Sequence, residues 1–396
     1  MMRTKKLRTS NFLKIFINSI FIFLLFSSNS FSFELSEYQK HPKSYYSIGS
    51  LISRYKQKDL LNKLKKFVSA TRPSRYPGRE GHLKSIPWIM NQIKSNKASH
   101  SKDVVMHIEE FEPDINYAKK LYQEDFEKKI ANNYPPESKE FKKWKGFTEN
   151  IQKNLESFKK VKGKNLVWEK KGHSDSNEIL IFGSHYDTIS YDNETLKVIP
   201  DAVMPGADDN ASGVAALIAL IEILNEVELK KTIRIIFFDF QELGSLGSRA
   251  YVKKHKEELL KYSSAYINVE MIGHDTKNKD SEKKLRNFKI YIRRNNENGF
   301  DKDKKLSEML VQSGKKTRSP LKVEVMANHF DNSDHINFWE IGIPALAFSQ
   351  NIETDFNGKR HHTPNDFPET INGNSYYAAF KFLAGSALSW GFDINR

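Results

Sequence analysis

Apolar and polar positions alternate along the chain with two different periods. Over residues 51–68, Leu51, Tyr55, Leu60, Leu61, Leu64 and Phe67 recur at helical spacing, and residues 83–93 repeat the pattern after a turn-rich stretch, 73–81. Val104–Phe111 alternates as a strand does. Residues 114–163 change character. They are helical in pattern, dense in Lys and Glu, broken at Pro135-Pro136, and carry Tyr117, Tyr122, Phe126, Phe141, Trp144, Phe147 and Phe158 as an apolar face. This segment is expected to be a helical insertion packed on the main body.

From Asn165 onward the two periods interleave. Strands are expected at 179–183, 232–240, 265–271, 289–293, 322–326 and 344–348, and helices at 211–227, 248–261, 304–313, 334–339 and 375–388. Such alternation predicts an α/β fold: a mixed, largely parallel central sheet flanked by helices on both faces. In open α/β sheets ligands collect at strand ends, and several of these strands run into polar residues.

Residues 1–32 follow a third pattern. A basic stretch (Arg3, Lys5, Lys6, Arg8, Lys14) leads into the apolar run 15–26 and then into small and polar residues ending at Ser32. The apolar run is short for a membrane span, and the pattern predicts a signal peptide cut near Ser32. The remainder, 33–396, is expected to be one α/β domain, periplasmic or secreted from a bacterium and not stably inserted in the membrane.

Composition changes this picture only a little. The 396 residues are 38% hydrophobic and 28% charged, enough for a sizeable core. Lys and Arg number 63 against 49 Asp and Glu; removing the five basic residues of 1–32 leaves 58 against 49, or +9. This surplus is scattered among acids without a nucleic-acid motif, so it describes a solvated surface and no nucleic-acid partner is expected. The absence of Cys excludes disulfides, thiolate metal sites and a cysteine nucleophile. No G-x-S-x-G elbow supports a serine hydrolase.

Candidate chemistry lies at strand ends and in loops. Strand 179–183 runs into Ser184-His185-Tyr186-Asp187-Thr188; Pro205-Gly206-Ala207-Asp208-Asp209-Asn210-Ala211-Ser212-Gly213 opens a long apolar helix; Gln241-Glu242 follows strand 232–240; Glu270 stands near the end of 265–271; and His361-His362-Thr363-Pro364-Asn365-Asp366 forms a late loop. Each has an ordinary explanation alone: a structural histidine, a helix cap, a solvated acid. Taken together, His185, Asp208, Glu242, Glu270 and His362 form the N/O donor set that a two-zinc hydrolytic centre needs, with several carboxylates to offset the metal charge.

In these motifs the sequence resembles the M28 family of zinc metallopeptidases, the co-catalytic aminopeptidases, weakly over residues 61–93 and well over 165–371. The resemblance implies two zinc ions bridged by Asp208, with His185 and Glu270 on one ion and Glu242 and His362 on the other. It implies that Asp187 orients His185, that Asp366 braces the His362 loop, and that a cis peptide links Asp208 and Asp209. Ser333-Asp334-His335 resembles the family's S-D-H segment beside the pocket. The implied activity is that of an exopeptidase, an aminopeptidase acting on extracytoplasmic peptides. Alternatives are a glutaminyl-peptide cyclotransferase-like enzyme on a related fold, or a weakened, peptide-binding homologue. The last arises from one departure: the family has a general-base Glu before its metal-binding Glu, and Gln241 stands there. A carboxamide hydrogen-bonds to water but does not take its proton at useful pH.

Overall fold

Side chains along a strand point alternately to opposite faces of a sheet, and here both faces find apolar cover. The structure, a computed structural model, describes residues 42–95, 101–192, 194–262, 264–276, 287–330 and 332–394; the expected signal peptide lies outside them. In chain order the main elements are α1 (Tyr45–Ile52), α2 (Gln57–Ala70), α3 (Glu80–Lys94), β1 (Val104–Phe111), α4 (Ile115–Phe126), α5 (Lys139–Glu156), β2 (Gly163–Lys170), β3 (Ile179–His185) and α6 (Ser212–Asn225). They continue with β4 (Thr232–Phe238), α7 (Leu246–Lys261), β5 (Ala265–Val269), β6 (Phe288–Ile292), α8 (Phe300–Lys316), β7 (Glu324–Ala327), α9 (Asp334–Glu340), β8 (Ala345–Gln350) and α10 (Gly373–Gly391).

The strands form one eight-stranded sheet in the order β1-β2-β4-β3-β5-β8-β6-β7. The central four, β4, β3, β5 and β8, are parallel, while β2 and β6 run against them. Leu180, Phe182, Ile233, Ile235 and Phe237 face one core with α1, α2, α3, α6, α8 and α10. Their alternates Ile179, Ile181, Ile236 and Phe238 face a second core with Tyr251, Val252 and Leu259 of α7 and Phe338 of α9. The mixed, largely parallel sheet with helices on both faces is therefore the observed architecture. From β3 the chain moves to β4 on one side, then returns to β5 on the other, so a crevice opens at the C-terminal end of β3.

Several boundaries differ from expectation. The stretch 51–68 divides into α1 and α2, with a turn closed by Arg54 N–H to Leu51 O and Tyr55 N–H to Ile52 O. Strand β2 had no sequence signal, because Lys164, Asn165, Glu169 and Lys170 leave only Leu166-Val167-Trp168 apolar. Strands β4 and β5 end earlier than their apolar runs. Phe240 (φ 55°) and Met271 (φ 47°) are left-handed there; Glu242 lies beyond the ladder, while Glu270 N–H still donates to Phe348 O of β8 at 3.1 Å.

Helices α4 and α5 lie in the chain between the edge strand β1 and its neighbour β2. Each has a side-chain cap: Asp114 Oδ1 accepts Tyr117 N–H, and Ser138 Oγ accepts Phe141 N–H. Ile115, Ala118, Ile151 and Leu155 bury against Tyr76, in the loop between α2 and α3, and against Ile189, Phe240 and Leu243, in the loops that follow β3 and β4. Leu155→Ala should lower the stability of the whole chain by about 2–5 kcal/mol in a single cooperative transition, measured by denaturant unfolding. A transition that separates or does not move would mark the helical pair as independent of the sheet.

Candidate metal centre

Parallel register brings the candidate side chains to one place. β3 pairs with β4 so that His185 sits opposite Phe238, and with β5 so that Gly183 sits opposite Asn268, which puts Glu270 level with His185. Between β3 and α6 the chain makes a tight turn around Gly206, whose φ of 54° suits glycine, and Asp209 ends up inside it. Gly213 lets this turn pack on β3 and β5, since a Cβ there would lie 2.4 Å from Ser184 Oγ and 2.7 Å from Val269 O.

Asp209 is at the centre of the cluster. Its Oδ1 lies 3.2 Å from His185 Nε2, and its Oδ2 lies 3.2 Å from His362 Nε2 and 3.3 Å from His361 Nε2. His185 Nε2 is also 2.9 Å from Glu270 Oε1, and His362 Nε2 is 2.9 Å from Glu242 Oε2. Two groups able to hold a metal emerge, each with its donor atoms within 4.8 Å of one another: His185, Asp209 and Glu270, and Asp209, His361 and His362. They share Asp209.

Four of the five expected metal-site residues, His185, Glu242, Glu270 and His362, thus meet, and Asp208 does not. Its carboxylate is turned away and accepts from Gly273 N–H (2.8 Å), Asn357 Nδ2 (2.9 Å) and Gln350 Nε2 (3.2 Å). The central place expected for Asp208 is taken by its neighbour Asp209, which lies between His185 and His362, and the cis peptide is Asp209–Asn210 rather than Asp208–Asp209. The two acids are adjacent and alike in sequence. Their fates are decided by Gly273 and Asn357, from distant loops, and Gln350, at the end of β8. His361, passed over beside His362, is the other addition.

Surrounding groups hold the donors in place. Asp187 lies 3.5 Å from His185 Nδ1, and its two oxygens accept the N–H groups of Gln241 and Glu242, so one carboxylate fixes two strand ends. Asp366 accepts the N–H groups of Asp208 and Asp209, each at 3.0 Å, tying the His362 loop to the acidic turn. Asn268 Nδ2 and Ser333 Oγ both donate to Glu270 Oε2, which gives the Ser333-Asp334-His335 segment its place at the site. Arg75, fully buried, was not foreseen. Its guanidinium donates to the backbone carbonyls of Tyr186, Pro205 and Gly206, spanning the loops after His185 and before Asp209. Burial pulls Arg75 down to about 10, against the opposing field of Asp209, Asp366 and Asp187.

The electrostatics are those of acids collected for a cation. Burial pushes Glu242 up to about 7 although His362 favours its charged form. Burial would lower His362, but Glu242 and Asp209 outweigh it and hold the imidazole up at about 10. Asp209 stays well below the usual carboxylate range, because the imidazoles of His185, His361 and His362 beside it outweigh its burial. Imidazolium therefore stands in for positive charge in the metal-free chain. Glu242 Oε1 and Asp209 Oδ2 are buried and make no hydrogen bond, which leaves acceptor capacity directed into the cluster. Imidazole nitrogens and carboxylate oxygens are the donor set of an open catalytic zinc site, so the residues fit that metal.

The donors border a cavity of about 390 Å³ walled by Tyr122, Tyr191, Phe330 and Phe356. Gln241 also lines it, with Nε2 donating to Asn332 O at 3.3 Å. From α4, Tyr122 donates its hydroxyl to Glu242 O. His362 itself has φ 57°, so left-handed residues stand at or beside three donor positions. Non-glycine residues in this region cost of order 1 kcal/mol or more, and such conformations cluster at functional sites.

Comparison with known proteins agrees with this geometry. The aminopeptidase YwaD of Bacillus subtilis (strain 168) is 30% identical over 232 residues, covering 58% of this chain and 43% of that protein. The uncharacterized protein YfbL of Escherichia coli (strain K12) is 26% identical over 216 residues, 49% of this chain and 61% of its own length. The chain thus spans about half the length of these curated relatives. Similar solved folds include the zinc aminopeptidase BSAP from Bacillus subtilis, with TM-score 0.59, 18% identity and coverage of 84% of this chain and 94% of that one. They also include a glutaminyl cyclase from Bacteroides thetaiotaomicron, with TM-score 0.56, 16% identity and coverage of 85% and 98%. Among the described residues no helix is long and apolar enough to cross a membrane. The sequence model of peptidase family M28 matches residues 165–386, more than half of the chain, and the protein belongs to that family.

Proposed function

We propose that this chain is a zinc-dependent exopeptidase, an aminopeptidase that removes N-terminal residues from extracytoplasmic peptides and holds two zinc ions. The observation that carries the proposal is the pair of donor groups joined through Asp209 at the edge of a cavity. His185 and Glu270 would hold one ion, His362 and Glu242 the other, and Asp209 would serve both. When bound, zinc supplies Lewis-acid polarisation of the scissile carbonyl and acidifies the attacking water. Asp187 and Asp366 keep the donors aligned during turnover, as outer hydrogen-bond partners do in metal sites.

Direction of attack follows from the lining. An enzyme working from the carboxyl end needs a cationic side chain for the terminal carboxylate. Among the described residues lining the cavity there is no Lys or Arg to receive one. The aromatic walls accept an apolar side chain from the first residue. Gln241 stands where a proton acceptor is expected, and its carboxamide lines the cavity with no proton-accepting capacity at neutral pH. This single observation supports a second version of the same proposal, a site that holds peptides and cuts them slowly.

Two experiments bear on these proposals. A panel of aminoacyl substrates should reveal slow cleavage that a chelator abolishes and zinc restores; Gln241→Glu should raise kcat by about 10²–10⁴-fold. An inert zinc-loaded protein, with Gln241→Glu equally inert, would overturn the enzymatic proposal. Metal analysis of dialysed protein should separate the adjacent acids: Asp209→Asn should lose most of its zinc. Asp208→Asn should keep it while unfolding with about 1–3 kcal/mol less stability.

A further inference from the structure

Two stretches far apart in sequence are free of acids. Residues 42–58 hold Lys43, Arg54, Lys56 and Lys58, and residues 309–323 hold Lys315, Lys316, Arg318 and Lys322. Neither holds an Asp or Glu, although the chain has 49. Before Asp59 the only acids in the sequence are Glu34 and Glu37. Folding brings the two stretches together: α1 lies so close to the C-terminal end of α8 that a Cβ on Gly49 would stand 2.8 Å from Thr317 O. We propose that this face is a docking surface for a bilayer of anionic phospholipid, on which the exported protein rests. The proposal is independent of the metal centre.

The chemistry of the face is cation over tyrosine. Lys316 Nζ lies 4.8 Å from the centre of the Tyr45 ring, and the Arg318 guanidinium lies 5.6 Å from that of Tyr46. At 71%, Tyr46 is the most exposed large apolar or aromatic side chain among the described residues. Arg54 shares with Tyr46 the lining of a groove of about 180 Å³. Among the described residues Lys43, Lys315, Lys316 and Arg318 make no ion pair with an acid, so their charge is available to a partner. Lys, Arg and Tyr each combine an apolar body with a polar tip, a form suited to the boundary between lipid headgroups and water.

The order of the chain points to the partner. Residues 15–26 are the apolar run expected to lead the chain through a membrane, and the described body begins at Pro42, beside Lys43 and Tyr46. The ten residues from Phe33 to Pro42 reach at most about 35 Å when fully extended. The basic face thus emerges next to the bilayer that the chain has crossed. Near an anionic surface each Lys or Arg strengthens adsorption about fivefold, and the attraction fades within a Debye length, about 8 Å at physiological salt.

Vesicle flotation tests this without reference to activity. The exported, processed chain should float with vesicles of an equimolar mixture of phosphatidylcholine and phosphatidylglycerol, stay behind with pure phosphatidylcholine, and be released by salt. Lys315→Gln, Lys316→Gln and Arg318→Asn together should weaken adsorption about 100-fold; Asn suits position 318 because its φ is 59°. Tyr46→Ser should weaken it while leaving its dependence on salt unchanged. A control that removes the same charge from α5, with Lys139→Gln, Lys142→Gln and Lys153→Gln, should adsorb as the wild type does. Circular dichroism establishes that every variant is folded. Adsorption that is absent, equal on pure phosphatidylcholine, unchanged in the face variants or equally reduced in the α5 control would overturn the proposal. Retention on heparin without adsorption to vesicles would assign the face to a soluble polyanion and overturn it as well.

Discussion

A carboxylate taken out of water costs several kcal/mol unless positive charge stands beside it, and at the ends of β3, β4 and β5 this chain buries Asp209, Glu242 and Glu270 together. The imidazoles of His185 and His362, both held toward their charged forms, answer them, and the arrangement depends on the strands delivering these groups to the same level. The parallel register of β3 with its two neighbours, the left-handed residues that end β4 and β5, and the packing of the Gly206–Gly213 turn all serve this one juxtaposition. The two cores above and below the sheet keep the strand ends from drifting.

Much of this architecture is legible in the chain itself, because a short apolar run bounded by polar residues and a long one differ in length, even where burial on all sides erases the period. Residues 179–183 and 211–227 announce β3 and α6 in this way. Strand β2 escapes because its charged residues find partners only after folding: Lys170 meets Asp103, and Glu169 meets Arg234. At the site, residue type is legible and register is not. Asp208 and Asp209 are equivalent as letters, and only the amides of Gly273, Gln350 and Asn357, brought in from far along the chain, separate a structural acid from a shared donor. Arg75 shows the same limit, since nothing nearby in sequence marks it as the link between two loops.

Gln241 sets apart holding a metal from moving a proton. The donors and their supporting hydrogen bonds are all present, including Asp187, which grips the Gln241 and Glu242 amides alike. What changes at position 241 is a single functional group facing the cavity. The buried acids and imidazoles are thus gathered beside a group that hydrogen-bonds but takes no proton at neutral pH. The helical pair belongs to this environment, for Tyr122 reaches from α4 to the backbone of Glu242.

Arg75 has one more consequence. A guanidinium is planar and its N–H groups diverge at fixed angles, unlike the mobile point charge of a lysine. Seated across Tyr186 O, Pro205 O and Gly206 O, it works as a calliper, setting the gap between two loops by the width of one rigid group. The spacing between His185 and Asp209 is thereby gauged from behind, by a side chain that is not part of the cavity lining.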